Sequence, residues 1–166
     1  MKKVLAPALL LAISSVGCAH NPVDASMPTD WNFCYRGMKD DAIFLAGQSG
    51  RDCGFASLKS TAGQRSLALK CALAEAKGAK PFRVGYQDIG TDSGFCEIAI
   101  LTPDKRWIVL DVDYDRSGGV LIGDGPRLGV LECEHLVFAP GRRSLFSQSG
   151  CNSSPKVRAT LPTVER

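Results

Sequence analysis

Between residues 113 and 124 the sequence reads DYDRSGGVLIGD, and its acids are spaced as ligands for a hard cation. Asp113, Asp115 and Ser117 offer oxygen at the first, third and fifth positions of a twelve-residue loop, and Asp124 closes it. Gly118 allows a sharp bend, and Val120 supplies an apolar position after it. Alternating oxygen donors around a glycine bend suit calcium. The same residues also fit a solvated acidic hairpin, in which Asp111, Asp113 and Asp115 line one strand face before a Gly-Gly turn.

Over those twelve residues the spacing resembles an EF-hand calcium loop, which implies calcium as the ligand. The flanks depart from that pattern. Residues 107–114 (WIVLDVDY) have strand character, no helix clearly follows, and Asp124 stands where glutamate gives stronger coordination.

Other chemistry is thinner. Histidine occurs only at His20 and His135. Cys133, Glu134 and His135 carry ligand atoms, but successive strand residues point to opposite faces. Gly47, Gln48, Ser49 and Gly50 do not form a nucleophile elbow. Asp92 and Ser93 sit in a turn, where such residues are expected. Glu75 and Glu97 are candidates for a carboxylate pair if the fold brings them together. The glycines around 118–125 lack the lysine and serine of a phosphate loop.

Seven cysteines are present: Cys18, Cys34, Cys53, Cys71, Cys96, Cys133 and Cys151. No two have the C-x-x-C spacing of a zinc ribbon or thioredoxin-type motif. Setting Cys18 aside leaves an even set, suited to disulfides in an oxidising compartment. Short closed loops favour Cys53–Cys71 and Cys133–Cys151, which leaves Cys34–Cys96. Each bridge would contribute about 2–4 kcal/mol.

Cys18 has its own explanation. Lys2 and Lys3 precede an uncharged run at residues 4–17, 14 residues in all. A membrane-spanning helix needs about 20, so this is the pattern of an export signal. Ser15, Val16, Gly17 and Cys18 resemble the lipobox of bacterial lipoproteins, with serine where leucine is common. That resemblance implies removal of residues 1–17, acylation of Cys18, and a membrane bound through its acyl chains. Ala19, rather than aspartate, implies sorting to the outer membrane, facing the periplasm. An ordinary secretory signal cut near Ala19 is the alternative.

Residues 18–30 are polar and contain two prolines, and they read as the lipidated end and a flexible tether. A single domain is expected at 31–151, followed by a polar, disordered tail at 152–166. The spacing predicts a helix over 62–77, with Thr61 and Gln64 as a capping box and Gly78 as its stop. Its apolar surface includes Leu67, Ala68, Leu69, Cys71, Ala72, Leu73, Ala74 and Ala76. Period-two patterning then gives strands near 82–86, 95–101, 107–114 and 128–138. Phe82, Val84 and Tyr86 share one face of the first. Residues 42–46 fit either a strand or a helical turn. The expected class is α+β, one main helix packed on an antiparallel sheet of about four meandering strands and stabilised by disulfides.

The mature chain keeps all 17 acidic residues and loses Lys2 and Lys3, for a net charge of +1. That balance argues against nucleic acid as a partner. The leading expectation is a non-enzymatic lipoprotein that binds another envelope component. An inhibitor or immunity protein against a cell-wall hydrolase is the second, and an envelope hydrolase using carboxylates the third.

Overall fold

The computed structural model describes residues 37–89, 93–115, 127–139 and 144–163, with backbone alone at 93, 113–115 and 127. Six strands form one sheet: β1 (Arg51–Ala56), β2 (Phe82–Ile89), β3 (Ser93–Leu101), β4 (Trp107–Asp115), β5 (Arg127–Phe138) and β6 (Phe146–Ser153). Strand order follows chain order, β1-β2-β3-β4-β5-β6. β1 and β2 are parallel, and every later pair is antiparallel. Three helices accompany them: α1 (Met38–Ala46), α2 (Ala62–Lys77) and α3 (Pro155–Arg158). The fold is α+β, as expected, but richer. The four expected strands are β2 to β5, and β1 and β6 extend the sheet at either edge.

α2 starts where its cap residues place it. Gln64 N–H donates to Thr61 Oγ1 at 3.2 Å, and Thr61 N–H donates to Gln64 Oε1 at 2.9 Å. The helix is the crossover between the parallel strands β1 and β2, which no short turn could join. The Cys53–Cys71 disulfide ties it to β1. Its buried stripe is narrower than the sequence implied. Ala68, Leu69 and Ala72 are buried, while Leu73 is 43% exposed. Alanines bring the helix backbone close to the sheet but cover little of it.

The rest of that face is covered by the sheet's own far end. Phe138 of β5 packs against Phe82 of β2 at 5.7 Å and Trp107 of β4 at 5.9 Å. Phe146 of β6 packs against Tyr86 of β2 at 5.3 Å, although four strand positions separate them. The β5–β6 hairpin therefore curls back over β2 to β4. Strand alternation changes at the curl. Leu131 and Cys133 contribute to this core, and so do Leu136 and Phe138. Gly150 sits at the change with φ +62, a left-handed conformation that favours glycine. The directly opposed pair Cys133–Cys151 is bridged beside it.

The opposite face buries Ile98, Ile100, Ile108, Leu110 and Val112 under α1 and the C-terminal segment. Residues 42–46 are helix, in α1. Residues 152–163 correct the expectation of a disordered tail, because β6 runs to Ser153 and α3 follows. Val157 and Leu161 are buried in the same cluster as α1. The sequence pattern missed this because two buried side chains among polar neighbours leave no periodic signal. Asp41, fully buried on α1, fastens the segment. Its carboxylate accepts from Thr163 N–H at 3.2 Å and from the Thr163 hydroxyl. Asp41→Ala would strand both donors. Unfolding in urea should show a loss of about 1–3 kcal/mol, and an unchanged midpoint would refute the fastening role.

Candidate functional site

Cross-strand register brings one polar row together beneath the curled hairpin. Tyr86 on β2 pairs with Glu97 on β3, Glu97 with Asp111 on β4, and Asp111 with Gly129 on β5. All lie on the α2 side, because Val84, Ala99 and Val109 share their parity and belong to that core. The Tyr86 hydroxyl donates to Glu97 Oε2. Gln148 reaches down from β6, and its Nε2 donates to Glu97 Oε1 at 3.1 Å. Both carboxylate oxygens of Glu97 are thus engaged from opposite sides, one by the sheet and one by the hairpin.

Burial pushes the Glu97 carboxyl above its ordinary range. The Tyr86 donation pulls it back, and the charge of Asp111 adds to the upward push. Burial also raises the Tyr86 phenol well above its usual value, helped by the hydrogen bond to Glu97 and the charges of Glu97 and Asp88. Tyr86 therefore serves as a donor, not as a base, at neutral pH. Asp111 has room for its carboxylate because residue 129 is glycine. A Cβ there would lie 1.8 Å from Asp111 Oδ1.

The residues singled out in the sequence are scattered by comparison. Asp113 and Asp115 close β4, their backbones in register with Phe95 and Ser93. Ser117 and Asp124 lie outside the described residues, as does Cys18. The acidic loop connects antiparallel strands β4 and β5, so both of its flanks are strands. Among the described residues, no three His, Cys, Asp or Glu side chains converge to hold a metal ion. His135 is exposed on β5, and Glu134 leans over Gly150. Glu97 does join a carboxylate pair, with Asp111 in place of Glu75. The disulfides Cys53–Cys71 and Cys133–Cys151 are formed. Cys96 is also disulfide-bonded, while Cys34 lies outside the described residues.

The sequence could have yielded this row. Tyr86, Glu97 and Asp111 each occupy a core-facing slot in an alternating strand, and the short turn at 102–106 fixes the register of β3 against β4. Gln148 could not have been found, since it depends on the hairpin's curl. A second feature is a shallow depression of about 400 Å³ between α1, the β3–β4 turn and α3, lined by Phe44, Leu45, Pro103, Arg106, Lys156 and Val157 among others. No protein-family model, curated protein or solved structure matches the chain.

Two outcomes test the row. The folded state holds the Glu97 proton more tightly than the unfolded chain does. Stability therefore falls as pH rises from the ordinary glutamate range through the raised value. Glu97→Gln removes that titration, so thermal melts should show the variant gaining on the parent as pH rises from about 4 to about 8. Parallel curves would exclude the raised carboxyl. Gly129→Ala should cost about 1–3 kcal/mol by overpacking, measured by chemical denaturation. Pairing it with Asp111→Ala should recover most of the loss.

Proposed function

We propose that this chain is a membrane-anchored lipoprotein of the bacterial envelope, whose disulfide-stabilised domain works by binding another envelope component. The observation that carries the reading is the oxidation state of the domain. Every cysteine among the described residues is disulfide-bonded: Cys53, Cys71, Cys96, Cys133 and Cys151. Such bonds persist in an oxidising compartment, where an export signal would send the chain. Cys18 then remains as the acyl acceptor that the lipobox resemblance implies, with Ala19 favouring the outer membrane and a domain facing the periplasm.

A binding role fits the Glu97–Asp111 acid pair better than catalysis does. Glu97 has both oxygens committed to Tyr86 and Gln148, side chains from two parts of the fold. A catalytic carboxylate would need one oxygen directed at substrate. Glu97 instead acts as a structural acceptor that holds the hairpin over the sheet.

Metabolic labelling with an alkyne palmitate analogue tests the anchor. The full-length chain should take up label and partition into detergent, and Cys18→Ser should do neither. An unlabelled parent protein whose mature N-terminus begins after Ala19 would overturn the reading in favour of simple secretion.

A further inference from the structure

Four exposed cations meet at the end of the sheet where β1, β2 and β4 begin and β3 ends. Arg51 opens β1, and its N–H donates to Pro81 O at 2.9 Å. Lys77 closes α2, and Lys80 follows in the loop to β2. Lys105, in the β3–β4 turn, donates from Nζ to Ala79 O at 2.6 Å. All four therefore border the short stretch 79–81. Each is exposed, and none forms an ion pair with another described residue. Arg106, nearby, is different: it is paired with Asp104 at 2.7 Å and lies 3.7 Å from Glu132.

Carboxylates share this end: Asp52 is paired with Arg83 at 2.9 Å, Asp104 and Glu132 lie against Arg106, and Glu75 is in the last turn of α2. Asp88 is near the far end of β2, while Glu97 and Asp111 pair midway along β3 and β4. The four cations are thus left without an ion-pair partner among the described residues, a cluster that composition could not reveal.

We propose that this basic end is a docking surface for anionic phospholipid headgroups, with Arg51, Lys77, Lys80 and Lys105 as its contacts. The proposal rests on the lipoprotein reading, because the anchor is what holds the domain beside a bilayer. Lysine suits a dense field of phosphates, since it acts as a point charge with no fixed docking geometry. Near an anionic bilayer, each such cation strengthens attraction about fivefold. The leash permits the contact. Residues 18–37 can span up to about 65 Å, and nine-residue β3 is about 30 Å long. The basic end can reach the surface wherever the chain joins the domain. A single acyl chain binds only marginally, and a polybasic patch is an established kind of second membrane signal.

The purified mature protein, reconstituted on phosphatidylcholine vesicles with or without phosphatidylglycerol, tests this by amine acylation and mass spectrometry. Phosphatidylglycerol should slow labelling of Lys77, Lys80 and Lys105 about fivefold or more. High salt should restore the rate, and Lys59 and Lys70 should not respond. A variant with Lys77→Glu, Lys80→Glu and Lys105→Glu, shown to be folded by circular dichroism, should lose the lipid-dependent slowing of amide hydrogen exchange at positions 79 and 80. Equal labelling on both vesicle types would overturn the proposal, even if the variant failed to fold. Protection by purified peptidoglycan sacculi but not by phosphatidylglycerol would also overturn it, in favour of a cell-wall partner. Failure to stay on phosphatidylcholine vesicles would count against the anchor alone, since the patch is read from the difference between lipids.

Discussion

A six-stranded sheet with apolar side chains on both faces must find cover for each, and this chain has few helical residues to provide it. β4 shows the demand most clearly: Ile108, Leu110 and Val112 are buried on one face, and Val109 on the other. α1 and α3 cover the first face with help from the C-terminal segment. α2 presents mainly alanine to the second. Phe138 and Phe146 make up the shortfall by folding back with their hairpin onto Phe82, Trp107 and Tyr86. Aromatic rings suit that role, because each buries a large area and its tilted contacts add about 0.5–1.5 kcal/mol beyond it.

That curl cannot be made by a uniformly alternating strand. A hairpin that bends across its own sheet must change which parity faces inward, and β5 and β6 do so together. Gly150 takes the left-handed backbone conformation at that point, and the bond between Cys133 and Cys151 closes the hairpin beside it. The disulfide and the glycine thus act on one problem. The glycine lets the strand bend, and the bridge keeps the two strands in register while they do. Cys53–Cys71 does the analogous job at the other edge, holding α2, whose contact with the sheet is mainly alanine, to β1.

Much of this architecture was legible where local chemistry agreed with the final fold. The cap of α2, the faces of β2 and β3, and the two short disulfide loops follow from spacing alone. β1 and β6 did not show, for different reasons. β1 is short and has a bulge between Asp52 and Phe55 that breaks its pattern. β6 reads FSQSGCNS, which resembles a loop, and its residues form a strand only because β5 offers a ladder. The polar row was half legible: alternation places Tyr86, Glu97 and Asp111 on inward slots. Its fourth member depends on long-range packing that no window of sequence contains. The basic cluster was hidden for a similar reason, since residues 51, 80 and 105 become neighbours only through the sheet register.

A half-buried carboxylate in an otherwise aromatic and aliphatic layer needs a physical justification. Apolar packing is weakly directional, and rings such as Phe138 and Phe146 could slide along β2 and β3 at modest cost. Glu97 removes that freedom. It accepts from Tyr86 within the sheet and from Gln148 on the hairpin, so only one placement of the hairpin satisfies both oxygens. Desolvating the acid costs stability, as its raised pKa indicates, and the return is a defined fold-over. On this view the Glu97–Asp111 pair belongs to the domain's construction. Its surface chemistry is then left to exposed groups such as the cations bordering residues 79–81.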